Sequence, residues 1–302
     1  MNVYLENVNL NSNSGPNYFA QKLKKYLGLR GVLFDNNLRQ HIKLTFIESI
    51  GVRNELPMIQ RLDGIYFNSN FDCDRMNANI KRTYETAAAV VFQTQFNKDL
   101  IFNWFGPHDR YSIINNGSDV LSIEAVEPYI FDFAASFDNI WSCAASWHNF
   151  KRLKENVEYF LNFSESNDCL IVAGTNPDYI IEHPRVFYVG NLDVNRLLGV
   201  FKASKYFIHL AYLDHCPNVV VDARACGAKI ICSSSGGTKE IAGPEAIVIE
   251  DHDWDFSFIQ SQSLPKLDFD KKIENNFNSN ISMVKTSKKY FQLFKETLND
   301  KA

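Results

Sequence analysis

Short apolar runs that alternate with segments of helical periodicity constrain this chain more than any other feature. Residues 2–5 (NVYL), 44–47 (LTFI), 89–93 (AVVFQ) and 112–114 (SII) read as short buried strands. Residues 57–67 (PMIQRLDGIYF) read as a strand running into a turn at Asp63-Gly64. Helical spacing fills the intervals. Pro16 sits at a first helical position, followed by Phe19, Leu23 and Leu27 on one face, and residues 77–88 and 97–105 repeat the pattern. Asn115-Asn116-Gly117 closes this run with a turn. Strand–helix repetition of this kind predicts a parallel sheet covered on both faces.

The texture changes over residues 131–145, and the alternation then restarts. Strands are predicted at 141–146, 169–173, 186–189, 206–210, 229–232 and 246–249, with helices at 152–163, 195–203, 218–226 and 281–298. Two such sheets with a boundary near residues 119–135 are the simplest reading. The length allows it, since 302 residues with 45% apolar content suffice for one large domain or two ordinary ones.

Charge and cysteine usage exclude several classes. A net charge of −4, with no basic block longer than Lys-Lys, argues against nucleic-acid binding. The first residues, MNVYLENVNLNSNSG, lack the pattern of a signal peptide. The longest apolar stretches are about half the length that crosses a bilayer. A cytoplasmic chain without a transmembrane segment is expected, with peripheral membrane contact left open. The six cysteines form no CxxC pair. They are expected to be free thiols, with no metal site and no cofactor.

Ligands on open α/β sheets bind at the carboxyl ends of strands. The loops after Leu5, Ile114, Ala145, Val189 and Leu210 are therefore the places to look for chemistry. The last of these opens YLDHCPNVVVDARACGAKIICSSSGGTKE, residues 212–240. Asp214 lies in the loop, Pro217 stops any earlier continuation, and a helix is predicted from Asn218. The first amides of a helix have no intrahelical partner and suit a diphosphate. Asp222, eight residues after Asp214, falls one turn into that helix, where a carboxylate can accept both hydroxyls of a ribose. Ala223, Ala225 and Gly227 are small, so the helix can approach the sheet closely. Ser235-Gly236-Gly237 forms a tight turn, and Glu240 falls at a cap position.

Plainer readings compete. Asp214 can serve as a helix N-terminal charge, Asp222 as a surface acid, and Lys151-Arg152 as a solvated basic face. His215 can be a solvent-facing loop residue. Adjacent side chains do not easily converge, which disfavours a His215-Cys216 dyad.

The stretch resembles glycosyltransferases of the family 4 type, which are α/β proteins with two Rossmann-like, doubly wound domains and are known as GT-B. These carry an acidic-x7-acidic element, a small-residue helix and a Gly-Gly turn, here Asp214-HCPNVVV-Asp222 followed by ARACGAKIICSSSGGTKE. SGPNYFAQKLKKYL is similar to the family's glycine loop and first helix. QRLDGIYFN, AAAVVFQTQFNKDLI and SIINNGSDV are similar to the end of its N-terminal domain. AASWHNFKRLKENVEYF and RVFYVGNLDVNRLLGVFKASKYFIHLAYLD are similar to its C-terminal domain.

The resemblance implies an acceptor-side domain over residues 1–125 and a nucleotide-sugar domain over 126–280, with a C-terminal helix at about 281–302 that returns to the first domain. It implies that Asp214 contacts the donor sugar and Asp222 the ribose. Backbone amides at Cys216, Asn218 and Val219 would hold the phosphates, with His215 lining the donor pocket. Lys151 matches the lysine of the family's basic pair. Ser146 stands where the arginine of that pair is expected, with Arg152 as the candidate to compensate. Gly15 would let backbone approach the donor, Gly190 and Asn191 lie where the base is placed, and Asp63 takes a catalytic position. Arg61 and Asn116 fall on the acceptor side. The implied activity is metal-independent transfer, with retention, of a sugar from a UDP- or GDP-linked donor to a glycan or lipid-linked sugar acceptor. Ser146 and the two Asp residues where Glu is usual keep a second reading open, a nucleotide-sugar-binding partner subunit without turnover. A sugar-nucleotide epimerase is a third.

Overall fold

A computed structural model describes residues 1–260 and 264–299 of the chain. These divide into two compact units, one of residues 1–117, 255–260 and 280–299, the other of residues 118–254 and 264–279.

The first unit runs β1 (Val3–Glu6), α1 (Gly15–Gly28), β2 (Ile42–Phe46), β3 (Met58–Leu62), α2 (Cys73–Thr86), β4 (Ala89–Phe92), α3 (Gln95–Phe105) and β5 (Tyr111–Ile113). Its sheet is parallel throughout, in the order β1-β2-β3-β4-β5. Every residue of β2 and β4 is buried, as in a sheet covered on both faces. The helical stripe of α1 buries Phe19, Leu23 and Leu27 completely or nearly so. Each such side chain contributes roughly 2 kcal/mol.

Several helix starts come earlier than periodicity suggests, because polar caps set them. Asp72 accepts from the Arg75 amide at 3.1 Å and starts α2 at Cys73. Thr94 does the same for α3 through the Asn97 amide, also at 3.1 Å. The predicted strand at 44–47 ends at Phe46, since Ile47 turns to a left-handed φ of 66°.

Two returns complete this unit. The terminal helix Met283–Asn299 packs on α1, with Tyr290 and Phe19 rings 6.0 Å apart. Its first turn is tied down by Arg30, which donates to Val284 O at 2.7 Å and Ser287 Oγ at 3.0 Å. Gly117 lies so close to the helix start that a Cβ there would meet Met283 N at 2.7 Å. The predicted reach of this helix to residue 302 includes positions outside the described residues. Residues 255–260, assigned from sequence to the second domain, also join the first unit. Ile259 forms a bridge with Asn68, and Trp104 Nε1 donates to Phe256 O at 2.9 Å.

The second unit contains α4 (Val120–Glu124), β6 (Asn139–Ser146), α5 (Leu153–Phe163), β7 (Asp168–Thr175), β8 (Val186–Gly190), α6 (Val194–Ala203), β9 (Ser204–His209), α7 (Asn218–Ala225), β10 (Lys229–Ser233), α8 (Thr238–Ala242), β11 (Ile247–Ile249) and β12 (Lys272–Ile273). Its sheet order is β12-β11-β10-β9-β6-β7-β8, parallel except for β12. The chain therefore winds outward from β6 through β7 to β8, then restarts at β9 on the other side of β6. That reversal leaves the carboxyl ends of β6 and β9 side by side. In doubly wound sheets this switch point is where ligands bind.

Candidate functional site

The switch point brings two loops of the second unit together. The loop after β6 is joined to the loop after β9 by Tyr212 N–H donating to Phe150 O at 2.8 Å. Lys151 ends a short 3-10 turn in the first loop, and Asp214 lies in the second. Their side chains form a direct ion pair through Asp214 Oδ2. His209, the last residue of β9, reaches the same oxygen through Nε2 at 3.0 Å. Burial pushes the Asp214 carboxyl up, but Lys151 and His209 outweigh it and hold the group well below the usual carboxylate range. The site thus carries a permanent carboxylate beside a cation.

Backbone geometry fixes the position of Asp214. Leu213 adopts a left-handed φ of 56°, an unusual conformation for a branched side chain. Gly236, at φ 74°, packs against the following peptide, and its missing Cβ would fall 2.6 Å from Asp214 O and 2.8 Å from Asp214 N. Gly237 N–H donates to Asp214 O at 2.8 Å. The Gly-Gly turn is therefore the platform on which the Asp214 loop rests. Gly236→Ala is expected to lower stability by about 2 kcal/mol, because the left-handed backbone and the backbone clash add together. Denaturant unfolding measures this, and wild-type stability in the variant would contradict the contact.

Helix α7 starts at Asn218 with Pro217 as its N-cap residue. Val220 and Val221 amides bond to Pro217 O at 3.2 and 3.3 Å, so the amides of Asn218 and Val219 precede the first helical bonds. Asp222 sits one turn in and is buried, at 5% exposure. Cys216 is buried and forms no disulfide. His215 is half-buried rather than solvent-facing. Burial lowers it to about 4, with Asp214 raising and Lys151 lowering it, so the ring is neutral at neutral pH.

Other expected donor residues are placed as follows. Ser146 ends β6, exposed, and accepts from Thr175 Oγ1 at 3.3 Å. Gly190 ends the edge strand β8 at φ 70°, with no atom within 4 Å of a Cβ built there, and Asn191 beside it is exposed. They lie three strands from β9, about 14 Å across the sheet. In the first unit, Gly15 begins α1, and no atom lies within 4 Å of a Cβ built on it.

Two expectations are corrected. Arg152 does not compensate for the missing arginine. Its backbone turns left-handed, at φ 51°, and its guanidinium is 1% exposed. There it pairs with Asp251 at 2.6 Å, donates to Pro265 O at 2.7 Å and lies 4.9 Å over the Tyr212 ring. It ties the β6 loop to the core of the unit. Arg61, expected on the acceptor side, is likewise committed elsewhere. Its side chain is 1% exposed, 4.1 Å over the Phe19 ring, and it is spent on Asp63 and on Asn116 Oδ1 at 2.8 Å.

Asp63, after β3, is 15% exposed and also accepts from Gln93 Nε2 at 2.8 Å. Burial raises its carboxyl above the ordinary value despite Arg61 and Gln93. Its Oδ2 is buried without a hydrogen-bond partner among the described residues. Glu240, expected at a cap, lies inside α8 and is buried, with Gly237 as the N-cap residue.

Sequence reasoning missed His209 and His148. His148 is partly exposed in the loop after β6, and partial desolvation of its ring together with Lys151 lowers it against the raising effect of Asp214 and Asp178. A histidine inside an apolar strand carries no spacing signal. Its role appears only once β9 and the Asp214 loop are folded together.

Among the described residues no group of three or more His, Cys, Asp or Glu side chains could hold a metal ion. None of the described helices is long and apolar enough to cross a membrane.

Comparison with solved structures places the whole chain in one architecture. Sucrose-phosphate synthase from Thermosynechococcus elongatus superposes with a TM-score of 0.71 at 12% identity, covering 99% of this chain and 100% of that one. HepE from Anabaena, in complex with UDP and glucose, gives 0.65 at 12% identity, covering 98% and 100%. WaaG, a glycosyltransferase of lipopolysaccharide biosynthesis, gives 0.59 at 12% identity, covering 99% and 94%. The fold is that of GT-B glycosyltransferases. Residues 148–257, most of them in the second unit, match the model of the glycosyl transferases group 1 family. No curated protein matches the chain in sequence.

Proposed function

We propose that the chain transfers a hexosyl group, with retention and without a metal, from a UDP- or GDP-linked donor to a hydroxyl of a glycan or lipid-linked sugar. The observation that carries this reading is the Lys151–Asp214 pair at the switch point, its acid in the loop that leads into a helix with Asp222 one turn in. Lys151 and the first amides of α7 neutralise the diphosphate as charge develops on it. Asp222 accepts the ribose hydroxyls, and Asp214 contacts the sugar. The acceptor oxygen bonds to the anomeric carbon as the bond from that carbon to the phosphate oxygen breaks. The acceptor proton passes to the departing phosphate, which leaves as the nucleoside diphosphate. The cation and amides take the place of a divalent metal in this scheme. HepE has been crystallised with UDP-glucose, which favours a UDP-linked donor as the first to try.

A panel of UDP- and GDP-sugars with EDTA present tests this, with proton NMR reading the anomeric configuration of the first product. Transfer or hydrolysis with retention is expected. An inverted product, or turnover only with added divalent metal, contradicts the mechanism. Ser146 favours one second reading, a nucleotide-sugar-binding subunit without turnover, which predicts donor binding and no product.

A further inference from the structure

We infer that His209 is a positioning residue of this site: its Nε2–H fixes Asp214 by holding Oδ2 toward the protein, which presents Oδ1 to the sugar. This inference rests on the proposed role of Asp214. Three observations carry it. His209 ends β9, next to the switch point, and is buried at 2% exposure. Its Nε2 lies 3.0 Å from Asp214 Oδ2, the same oxygen that Lys151 binds. Its ring lies nearly parallel to that of Phe207, at 13°.

The charged and titratable groups facing the imidazole are Asp214, Lys151 and, across the strand pair, Cys232. Burial holds the Cys232 thiol up at about 12, so it carries no charge. Burial pushes His209 down, against the raising effect of Asp214, and Lys151 lowers it further. The ring is therefore neutral at neutral pH, and a neutral imidazole meets a carboxylate through an N–H donor. The two donors on Oδ2 then divide the work. Lys151, on a long flexible stem with 22% of its side chain exposed, supplies charge. His209, short and enclosed, supplies direction. A carboxylate bound twice through one oxygen keeps a single orientation, and an error of about 1 Å at a reacting group costs about 10²-fold in rate.

The test compares the wild-type chain with His209→Leu, His209→Gln and Asp214→Ala. UDP-glucose hydrolysis is measured at saturating donor, and UDP affinity by calorimetry. Glutamine keeps an N–H donor near the position of Nε2, and leucine removes it. His209→Leu is expected to lose about 10²-fold in turnover, with UDP affinity within about threefold of wild type, and His209→Gln to recover to within about fivefold. Retained UDP binding also shows that the variants are folded. Full activity in His209→Leu, or a glutamine variant no better than the leucine one, overturns the positioning role while Asp214→Ala remains inactive. If Asp214→Ala itself retains wild-type turnover, or the wild-type chain neither binds nor hydrolyses UDP-glucose or GDP-glucose, the underlying site reading fails and this inference with it.

Discussion

Replacing Asp214 with alanine is expected to lower turnover by about 10³-fold while changing nucleotide affinity by less than about threefold. Asp214 is the anionic half of a pair whose other half, Lys151, faces the phosphates in the proposed site. Removing the carboxylate leaves Lys151 in place and takes away its internal competitor, so affinity for a diphosphate holds or improves. The loss then falls on the step in which the sugar is moved. Asp222→Ala is expected to behave oppositely. It removes charge-assisted hydrogen bonds to the ribose, of about 1.5–3 kcal/mol, and weakens nucleotide binding about 10- to 100-fold. Calorimetry and steady-state kinetics on the two variants read this split, and equal effects in both contradict the assignment.

The second large effect concerns Lys151 and acts on stability. Lys151→Met leaves the Asp214 carboxyl inside the protein with His209 as its remaining donor. The cost at neutral pH is on the order of 3 kcal/mol, the lower end for a broken buried pair, because part of Lys151 is exposed. Its pH dependence has a definite sign. In the wild type the folded carboxyl lies well below its ordinary 3.8, so the pair's contribution is complete above that value and fades as pH falls below it. In the variant, burial is opposed by fewer interactions and the folded value rises, so stability is lost as pH increases through it. The gap between wild type and variant is therefore widest near neutrality and narrows toward pH 3–4. Urea unfolding at several pH values measures the gap, and a gap that stays constant with pH contradicts the account.

The architecture was legible because it rests on period and punctuation. Strand-and-helix alternation located each strand of both sheets except β12, a two-residue antiparallel edge piece with no periodicity to read. The short helices α4 and α8, five residues each, left too little pattern for the same reason. Pro217 marked the start of α7 correctly, since a proline at a helix start needs no donor.

Side-chain direction was the part that sequence did not carry. Arg152 and Lys151 are neighbours, yet one turns into the core and the other to Asp214. The left-handed φ at Arg152 makes the difference, and nothing in NFKRLKE announces it. Arg61, the arginine of RLDG, was expected on the acceptor side, but β3 carries it under Phe19 and Phe46. Gly236 was readable as a turn. That its missing Cβ makes room for the Asp214 peptide depends on a contact between residues 22 apart.

The central claim is that a nucleoside diphosphate binds where the ends of β6 and β9 meet the start of α7. Calorimetric titration of UDP and of GDP, each to about 1 mM, into the wild-type chain and Asp222→Ala tests it most directly. One of the two nucleotides is expected to bind the wild type at one site per chain, and to bind the variant at least about tenfold more weakly. Absence of binding by both nucleotides, or equal affinity in wild type and variant, would contradict it.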